Sequence, residues 1–539
     1  MKRRQFLGAG AGMGAMAAAA LAGCDPAHEI AGGFTGIDVA RGHAWRDGLP
    51  GAGAAPARTR RTRVVIAGAG VAGLAAARAL RLAGIEDFVL LELEQTAGGN
   101  SRGGMVDGIA CPLGAHYLPV PGDDASEVQD LLEEFGLRRR VAGRWEYDEL
   151  HLCHSPQERL FFDGAWQDGL LPVQGVGQAT LAQYRRFARR VDALQGQARF
   201  SIPTAKVAAG PLLLALDAMA FSAWLDREGL DDAHLRWYLD YCCRDDYGAG
   251  MDQVSAWAGI HYFASRHGFH APGDEALDHD EPVLTWPEGN AWLARRLAGP
   301  LGDRLKQSHA VTRIAETRSG VEVDAFDFAA RASVRWQAER CIVALPVFIA
   351  ARVVENPPQV LRDAGAALRH APWLVANLHI RAPLFDDPRG AAPSWDNVLY
   401  GTPGLGYVDA RHQALDPTPA GTVLSWYRPL GPSRYDPGDG RRQLLDRPWA
   451  GWRDDLLAEL SLPHPDLPGL AVRIDITRYG HAMAIPTPGL LGRIGRSAPV
   501  GQRPGIVASG RLSFAHADWS GYSIFEEAFT RGHLAGSTG

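Results

Sequence analysis

Lysine is almost absent from this chain of 539 residues, where it occurs only as Lys2, Lys206 and Lys306. Arginine therefore carries nearly all of the positive charge. The formal net charge is −6 and no basic stripe is visible, which argues against a nucleic-acid partner. With 46% hydrophobic and 22% charged residues, the composition is that of an ordinary globular protein of two or three domains.

Cysteine is also scarce, and its six residues follow no repeated spacing. Cys24 lies near the amino terminus, which leaves an odd number for the rest of the chain. The adjacent pair Cys242-Cys243 matches neither a CxxC redox pair nor a zinc-binding pattern. We therefore expect no disulfide framework.

The first 24 residues have the pattern of an export signal. The charged start contains Arg3-Arg4, and the Gly/Ala/Met run after it is too short and too weakly apolar to span a bilayer well. The start resembles a twin-arginine signal, and Leu21-Ala22-Gly23-Cys24 resembles a lipobox. These resemblances imply the twin-arginine translocase as a partner and a lipid on Cys24, which would anchor the protein to the inner membrane in the periplasm. A cleaved signal with a coincidental cysteine is the alternative.

Folded structure is expected to begin near residue 63. Residues 25–61 are rich in Ala, Gly, Pro and Arg and lack periodicity, so we expect a tether or a partly ordered arm. A buried parallel strand is predicted at 63–67, a helix at 71–83 and a second strand at 88–91. This order is a strand–helix–strand opening.

The rest of the chain alternates between helical and strand-like stretches. Residues 125–267 are mostly helical in pattern, with helices predicted at 126–135 and 211–225. Further helices and strands are predicted at 290–301 (helix), 311–314, 321–324, 333–345, 373–380, 423–427, 472–476 and 505–509 (strands), and 523–534 (helix).

A glycine motif, Gly68-Ala69-Gly70-Val71-Ala72-Gly73, joins the first strand to the first helix. Gly68 permits a tight turn, Gly70 lets the backbone approach a pyrophosphate, and Gly73 allows close helix–strand packing. Glu92 ends the second strand at the spacing expected of the residue that binds the adenosine ribose, and Glu94 is its competitor. The motif predicts a dinucleotide site, with a purely structural turn as the alternative.

A second glycine motif follows Glu92 after six residues and reads Gly98-Gly99-Asn100-Ser101. Together the two motifs resemble those of the flavin amine oxidase superfamily, which includes monoamine oxidases, polyamine oxidases and phytoene-desaturase-like enzymes. The resemblance implies that FAD is the cofactor and that this loop lies against its diphosphate. The family usually has arginine where this chain has Asn100, so one charged phosphate contact is missing.

The resemblance extends along nearly the whole chain. Val311 matches the valine that meets the adenine, and Asp518 matches the acidic FAD ligand after a short insertion. Trp519-Ser520-Gly521-Tyr522 resembles the segment beneath the flavin, which makes Tyr522 one wall of an aromatic cage, although a core aromatic is the alternative. Because no cysteine lies in or just before this segment, we expect FAD to be bound non-covalently. Weaker matches are Gly114–Tyr117, Phe221–Leu225, Trp286–Asn290 and Cys341–Pro346.

Two features of the family are missing. The lysine expected within 373–379 is absent, and Asn377 and His379 are the nearest polar residues, which leaves oxygen as electron acceptor in doubt. In place of the second cage aromatic stands His481, which would act as a base or orient substrate, or be structural. Carboxylates at 245–246 would attract a polyamine or form a solvated acidic face.

The resemblance implies an α/β fold with a Rossmann-type (GR2-like) FAD-binding domain built from three segments, 62–122, 286–346 and 481–539. An α+β substrate domain is expected at 123–285 and 347–480. The expected activity is hydride transfer from an amine, polyamine-like in the favoured case, to flavin N5. The alternatives are a desaturase or isomerase acting on an apolar substrate and a membrane-anchored flavoprotein with a degraded active site.

Overall fold

The computed structural model describes residues 29–47, 56–153, 157–266, 268–272, 282–387, 389–415, 421–494 and 506–538. The predicted export signal, with Cys24, lies outside the described residues. Within the described ranges, no helix combines the length and the apolar character that a membrane crossing requires.

The structure combines strands and helices along the whole described chain. The strands are β1 (Ala31–Thr35), β2 (Arg58–Arg61), β3 (Val64–Ala67), β4 (Phe88–Leu91), β5 (Gly103–Val106), β6 (Ile109–Pro112), β7 (Tyr117–Pro119), β8 (Arg138–Val141), β9 (Arg144–Tyr147), β10 (Glu158–Phe162), β11 (Ala165–Asp168), β12 (Val283–Thr285), β13 (Leu305–Lys306), β14 (His309–Glu316), β15 (Val321–Asp327), β16 (Ala332–Ala338), β17 (Arg340–Val343), β18 (Arg369–Ile380), β19 (Asp396–Leu399), β20 (Tyr407–Asp409), β21 (Thr422–Pro429), β22 (Ala471–Ile485), β23 (Val507–Ser509) and β24 (Leu512–Phe514). The α-helices are α1 (Val39–Asp47), α2 (Val71–Leu82), α3 (Ser126–Glu134), α4 (Gln178–Gln195), α5 (Pro211–Asp217), α6 (Phe221–Arg227), α7 (Ala233–Tyr247), α8 (Ala256–Ala264), α9 (Ala291–Ala298), α10 (Val347–Val353), α11 (Gln359–Ala367), α12 (Gly440–Asp446), α13 (Trp449–Leu460), α14 (Leu467–Leu470), α15 (Leu490–Ile494) and α16 (Phe525–Ser537).

A six-stranded sheet forms the first layer, in the order β13-β4-β3-β17-β24-β23. All of its neighbouring pairs are parallel except β23–β24. Every residue of β3 and β4 is buried, as a parallel sheet covered on both faces requires. Helices α2 and α16 cover one face, and the β14–β15–β16 meander covers the other. The strands come from three separate chain segments, so the predicted α/β, Rossmann-type fold class is confirmed.

An eight-stranded sheet forms the second layer, in the order β1-β22-β18-β21-β20-β19-β10-β11. The long strands β18 and β22 pair antiparallel along their whole length, from Arg369 opposite Ile485 to Ile380 opposite Ala471. Residues on one face, such as Val375 and Tyr427, pack against the helices between α4 and α8. Residues on the other face pack against α13. This layer and its helices form the α+β part of the molecule.

The segment that we expected to be a tether is instead folded where the structure describes it. Strand β1 pairs in parallel with β22, and β2 pairs in parallel with β16. Both are edge strands with mostly exposed side chains, so backbone hydrogen bonds rather than apolar burial hold them in place. The sequence therefore carries no periodic apolar signal for either strand.

Four other details differ from the sequence prediction. The strand predicted at 333–345 is two strands in different sheets, β16 and β17, and the helix predicted at 211–225 is two helices, α5 and α6. The boundary predicted at residue 481 falls inside β22, because pairing with β18 continues to Ile485. Strands β8 to β11 interrupt the region predicted as mostly helical, since they form two short hairpins with few buried residues.

Replacement of Gly73 by alanine tests how tightly α2 packs on the turn before it. A Cβ atom at Gly73 would lie 1.9 Å from the carbonyl oxygen of Gly68, a contact that only a backbone shift relieves. We expect Gly73→Ala to lower the melting temperature by several degrees, measured by circular dichroism. Gly42→Ala is the matched helical control, because a Cβ there meets nothing within 4 Å. Equal melting temperatures for the two variants would contradict the close packing.

Candidate active site

The two glycine motifs meet at the carboxyl ends of β3 and β4. Gly70 precedes α2 and no side chain caps this helix, so its first N–H groups are free to bind an anion. Gly98 donates from its N–H to the carbonyl of Ala69 at 2.8 Å, and Gly70 and Gly98 form a parallel bridge. A Cβ atom at Gly99, where φ is +60°, would lie 3.2 Å from the Cα of Gly70 and would fill the gap between the two loops. This glycine-lined cradle below an uncapped helix fits the diphosphate of a dinucleotide.

Glu92 lies beside this cradle, buried at the end of β4. Its Oε2 accepts a hydrogen bond from the N–H of Ala69 and its Oε1 accepts one from the N–H of Glu94, both at 2.9 Å. Burial raises the pKa of Glu92, and these two bonds counteract that rise. Each oxygen keeps a lone pair with which it can accept a ribose hydroxyl. Val311 lies nearby on β14, in the same apolar cluster as Leu91 at the end of β4.

Asn100 and Ser101 complete the second glycine loop. The side-chain amide of Asn100 donates to the carbonyl of Ala482 on β22 at 2.7 Å, and the N–H of Ser101 donates to the carbonyl of Gly98 at 3.0 Å. Asn100 therefore ties the loop to β22 of the second sheet. A neutral amide in this position adds no positive charge to the cradle.

Asp518 is buried beyond the carboxyl end of β24, between two histidines. Its Oδ2 accepts from the N–H of Val347 at 2.9 Å, and its Oδ1 lies 3.1 Å from Nε2 of His370 and 3.3 Å from Nδ1 of His516. Burial acts to raise the pKa of Asp518, but the imidazoles of His516 and His370 outweigh it and hold that pKa well below its ordinary value. The carboxylate lies at the edge of the sheet where a dinucleotide binds, but these contacts already engage it.

His481 belongs to the same cluster as Asp518. Its ring stacks on Phe348 with the centroids 4.3 Å apart, and His370 lies 6.0 Å away. Partial burial, followed by the charge of Arg441, lowers the pKa of His481. The lowered pKa keeps the ring neutral at neutral pH and makes it a weak base, and the residue is exposed to solvent.

Tyr522 lies in a different cluster, fully buried against the helical insert. Its hydroxyl donates to Oδ2 of Asp246 at 2.6 Å and accepts from Nη2 of Arg266 at 2.8 Å. Arg266 also pairs with Asp246 at 3.1 Å. The rings of Tyr247 and His261 flank it at 5.3 Å and 5.6 Å. Tyr522 is thus held rigidly, and the two candidate catalytic residues lie in separate clusters.

Four aromatic side chains pack against one another next to the Gly114–Tyr117 segment, and we call this group the aromatic chamber. The His116 ring stacks on Tyr427 at 4.3 Å and lies 5.5 Å from Trp395, and Tyr117 meets Trp395 edge-on at 5.8 Å. The hydroxyl of Tyr427 donates to the carbonyl of Gly114 at 3.1 Å. Burial lowers the pKa of His116 to about 3, so this imidazole is neutral.

Two carboxylates, Asp245 and Asp396, lie close to this chamber. Burial, followed by the charge of Asp246, raises the pKa of Asp245 to about 7. Burial, followed by the charges of Glu158 and Asp245, raises the pKa of Asp396 well above its ordinary value. Among the described residues Asp246 is paired with Arg266, whereas no ion pair reaches Asp245 or Asp396. Both groups also act on the pKa of Tyr117, which places them beside the chamber.

The prediction of a solvated acidic face at 245–246 is therefore wrong. Asp240 is also buried and pairs with buried Arg244 at 3.2 Å. The sequence analysis missed Trp395 and Asp396 altogether, because they stand in no motif and reach the chamber only through the pairing of β19 with β10 and β20. His116 and Tyr117 stand in a segment that the sequence singled out, but no local signal indicated that they converge with Tyr427.

Replacement of Asp518 by asparagine tests the contacts of this carboxylate with His370 and His516. Because the folded-state pKa of Asp518 is depressed, its stabilisation is present above the ordinary pKa of 3.8 and is lost as the pH falls through the lower folded value. We expect Asp518→Asn to lower the melting temperature at every pH above about 5, and the difference from wild type to shrink below about pH 4.

The control for this experiment is Asp303→Asn, which alters an exposed carboxylate in the short 3-10 helix Gly299–Arg304. It should melt as the wild type does throughout the pH range. A difference between Asp518→Asn and wild type that grows on acidification would contradict the depressed pKa.

Comparisons with known proteins agree with this arrangement. Residues 71–408 match the family model described as flavin containing amine oxidoreductase. A putrescine oxidase from Kocuria rosea is 28% identical over 170 residues, and the match spans about a third of its length (32% of each chain). The structure of wild-type putrescine oxidase bound to putrescine has a TM-score of 0.67 at 21% identity, covering 89% of this chain and 99% of the other. Cyclohexylamine oxidase from Brevibacterium oxydans has a TM-score of 0.62 at 19% identity, covering 88% and 98%. Since the family model spans more than half of the sequence, the chain belongs to the flavin-containing amine oxidoreductases, and its cofactor is FAD.

Proposed function

We propose that this protein oxidises an aliphatic amine that carries a second cationic group, as a diamine or a polyamine does. The observation that carries the proposal is the pair of carboxylates, Asp245 and Asp396, beside the aromatic chamber without a cationic partner in the described part of the chain. The name of the putrescine oxidase relative adds support, because putrescine is itself a diamine.

The electrostatics of the chamber favour a cation. A buried carboxylate without a partner is costly to ionise, which is why the pKa of Asp245 and that of Asp396 are raised. An ammonium group bound between them would reverse this effect and restore both negative charges. Aromatic faces such as those of Trp395 and Tyr117 attract cations further through their quadrupoles. A purely apolar substrate would leave the cost of burying the carboxylates without compensation.

Reaction at the other end of the substrate requires a neutral amine held with its adjacent C–H bond in a fixed position. The bound FAD supplies the chemistry by accepting the hydride from that carbon. The amine is thereby oxidised by two electrons to an imine, losing one hydride and one proton, and hydrolysis by water then releases an aldehyde together with ammonia, or with an amine where the reacting nitrogen is secondary. The Tyr522 ring, held by Asp246 and Arg266, and the His116–Tyr427 stack limit the orientations open to the substrate.

The electron acceptor of the second half-reaction stays open in this proposal. Position 377, in the stretch where the family has a lysine, is Asn377, fully buried on β18, and its Oδ1 accepts a hydrogen bond from Ser425 at 2.6 Å. His379 pairs with Asp107 at 2.8 Å instead of serving a cofactor. Reaction with oxygen therefore needs its own measurement.

Anaerobic reduction of the bound flavin tests the reaction class. Purified protein with bound FAD is mixed without oxygen with diamines, monoamines of equal chain length and isoprenoid-like apolar compounds, and the loss of flavin absorbance is followed. We expect diamines to bleach the flavin fastest, because only they place a cation between the two carboxylates. If every amine leaves the flavin oxidised, the proposal fails, and bleaching by the apolar compounds would point to a desaturase instead. Admitting air then measures whether oxygen is the acceptor.

The role of Asp245 is tested by the pH dependence of substrate preference. The ratio of kcat/KM for a diamine to kcat/KM for a monoamine cancels the ionisation of the reacting amine. As the pH rises through about 7, Asp245 ionises and attracts the second ammonium, so this ratio should rise in the wild type. In Asp245→Asn the ratio should be about 10- to 100-fold lower and should not vary around this pH, because one charge-assisted contact is lost.

The matched control is Asp252→Asn, which changes an exposed carboxylate just after the same helix. This variant should keep the wild-type ratio and its pH dependence. A ratio in Asp245→Asn that still rises through neutral pH would exclude Asp245 as the group that binds the second cation.

A further inference from the structure

The folded arm at residues 29–47 lies across the loop that joins β4 to β5. After β1, the arm turns at Gly36, whose carbonyl accepts from Nη1 of Arg102 at 3.0 Å. Helix α1 then places Arg41 so that its Nη1 donates to the carbonyl of Leu93 at 3.3 Å and to the hydroxyl of Ser308 at 3.5 Å. The arm is thus fastened to both ends of the segment that carries Glu92 and the second glycine motif.

A cavity of about 400 Å³ lies between the arm and this loop. On the arm side it is lined by residues 35–38 and Arg41, and on the loop side by residues 94–96 and 102–103, with Leu113 at one end. We call this space the arm cavity. The same loop carries Gly98 and Gly99, which meet Gly70 in the diphosphate cradle.

Two arginines give the arm cavity its polar character. Arg102 is buried, and its Nε has no hydrogen-bond partner although water does not reach it. Arg41 is largely covered, with its side chain 12% exposed. A buried guanidinium N–H without a partner is costly, so it indicates a group that the protein itself does not supply. Glu94 and Asp38 balance the net charge and leave the arginines as hydrogen-bond donors.

We propose that the arm cavity receives part of the adenosine diphosphate half of FAD and that Arg102, with Arg41, supplies the charged contact that Asn100 lacks. Arg102 lies two residues beyond Asn100, on the loop that forms the cradle, and its guanidinium lines the arm cavity with Nε left without a hydrogen-bond partner. The arm then forms a wall of the cofactor site and hinders release of FAD. The proposal rests on FAD as the cofactor and not on which amine is oxidised.

Cofactor binding to the apoprotein tests this proposal without any substrate. Dissociation constants for FAD, FMN and ADP are measured by flavin fluorescence and calorimetry for wild type, Arg102→Gln and Arg41→Gln. We expect FAD and ADP to bind about 10-fold or more weakly to Arg102→Gln, because a charge-assisted contact is lost, and to a lesser degree to Arg41→Gln. FMN lacks the adenosine part, so its binding should stay unchanged.

The matched control is Arg46→Gln on the same helix, because Arg46 is exposed and, among the described residues, pairs only with its neighbour Asp47. It should bind all three compounds as the wild type does. Equal weakening of FAD and FMN in Arg102→Gln would mean general loosening of the fold and would overturn the proposal, as would unchanged binding of FAD. Neither result bears on amine oxidation, which is followed by flavin reduction at saturating FAD.

Discussion

The antiparallel pairing of β18 with β22 is the interaction on which the rest of the site depends. It is the longest pairing in the structure, and the side chains of its two faces form the cores on either side of the second sheet. The hydroxyl of Tyr479 on β22 donates to the carbonyl of Leu113 at 2.6 Å, and Asn100 donates to the carbonyl of Ala482, three residues further along the same strand. The position of the cofactor loop relative to the aromatic chamber is therefore set by one strand.

A second constraint is that some of the buried carboxylates are paired with arginine and others are not. Asp246 and Arg266 form an ion pair that holds the hydroxyl of Tyr522. Asp240 and Arg244, which precede Asp246 on α7, form a second buried ion pair. Asp245 lies between these paired residues in the sequence and receives no such partner in the described structure. Helix α7 thus places Asp245 beside the chamber, while Asp240, Arg244 and Asp246 are engaged in ion pairs within the core. Charges that are left uncompensated in this way are more often functional than structural.

The sequence was most informative where function and local geometry coincide. The first strand and helix were predicted almost to the residue, because Gly68, Gly70 and Gly73 are required by the turn itself and the flanking strands are continuous apolar runs. The edge strands β1 and β2 escaped prediction, since their pairing is made by backbone groups that any residue possesses. Trp395 and Asp396 escaped it for another reason: their neighbours in space come from distant parts of the chain. For the carboxylates at 245–246 the sequence left a polyamine site and a solvated face both open, because sequence alone does not say which charges are covered.

The parallel pairing of β1 with β22 has a consequence for the order of folding. The two strands stand at opposite ends of the chain, so this pairing closes one of the largest loops in the molecule, and such contacts form late. During synthesis β1 cannot pair until β22 has been made, and by then nearly all of the protein has been synthesised. Docking of the arm therefore requires that the second, eight-stranded sheet has already formed. In this molecule the first described segment to be synthesised is among the last to find its place.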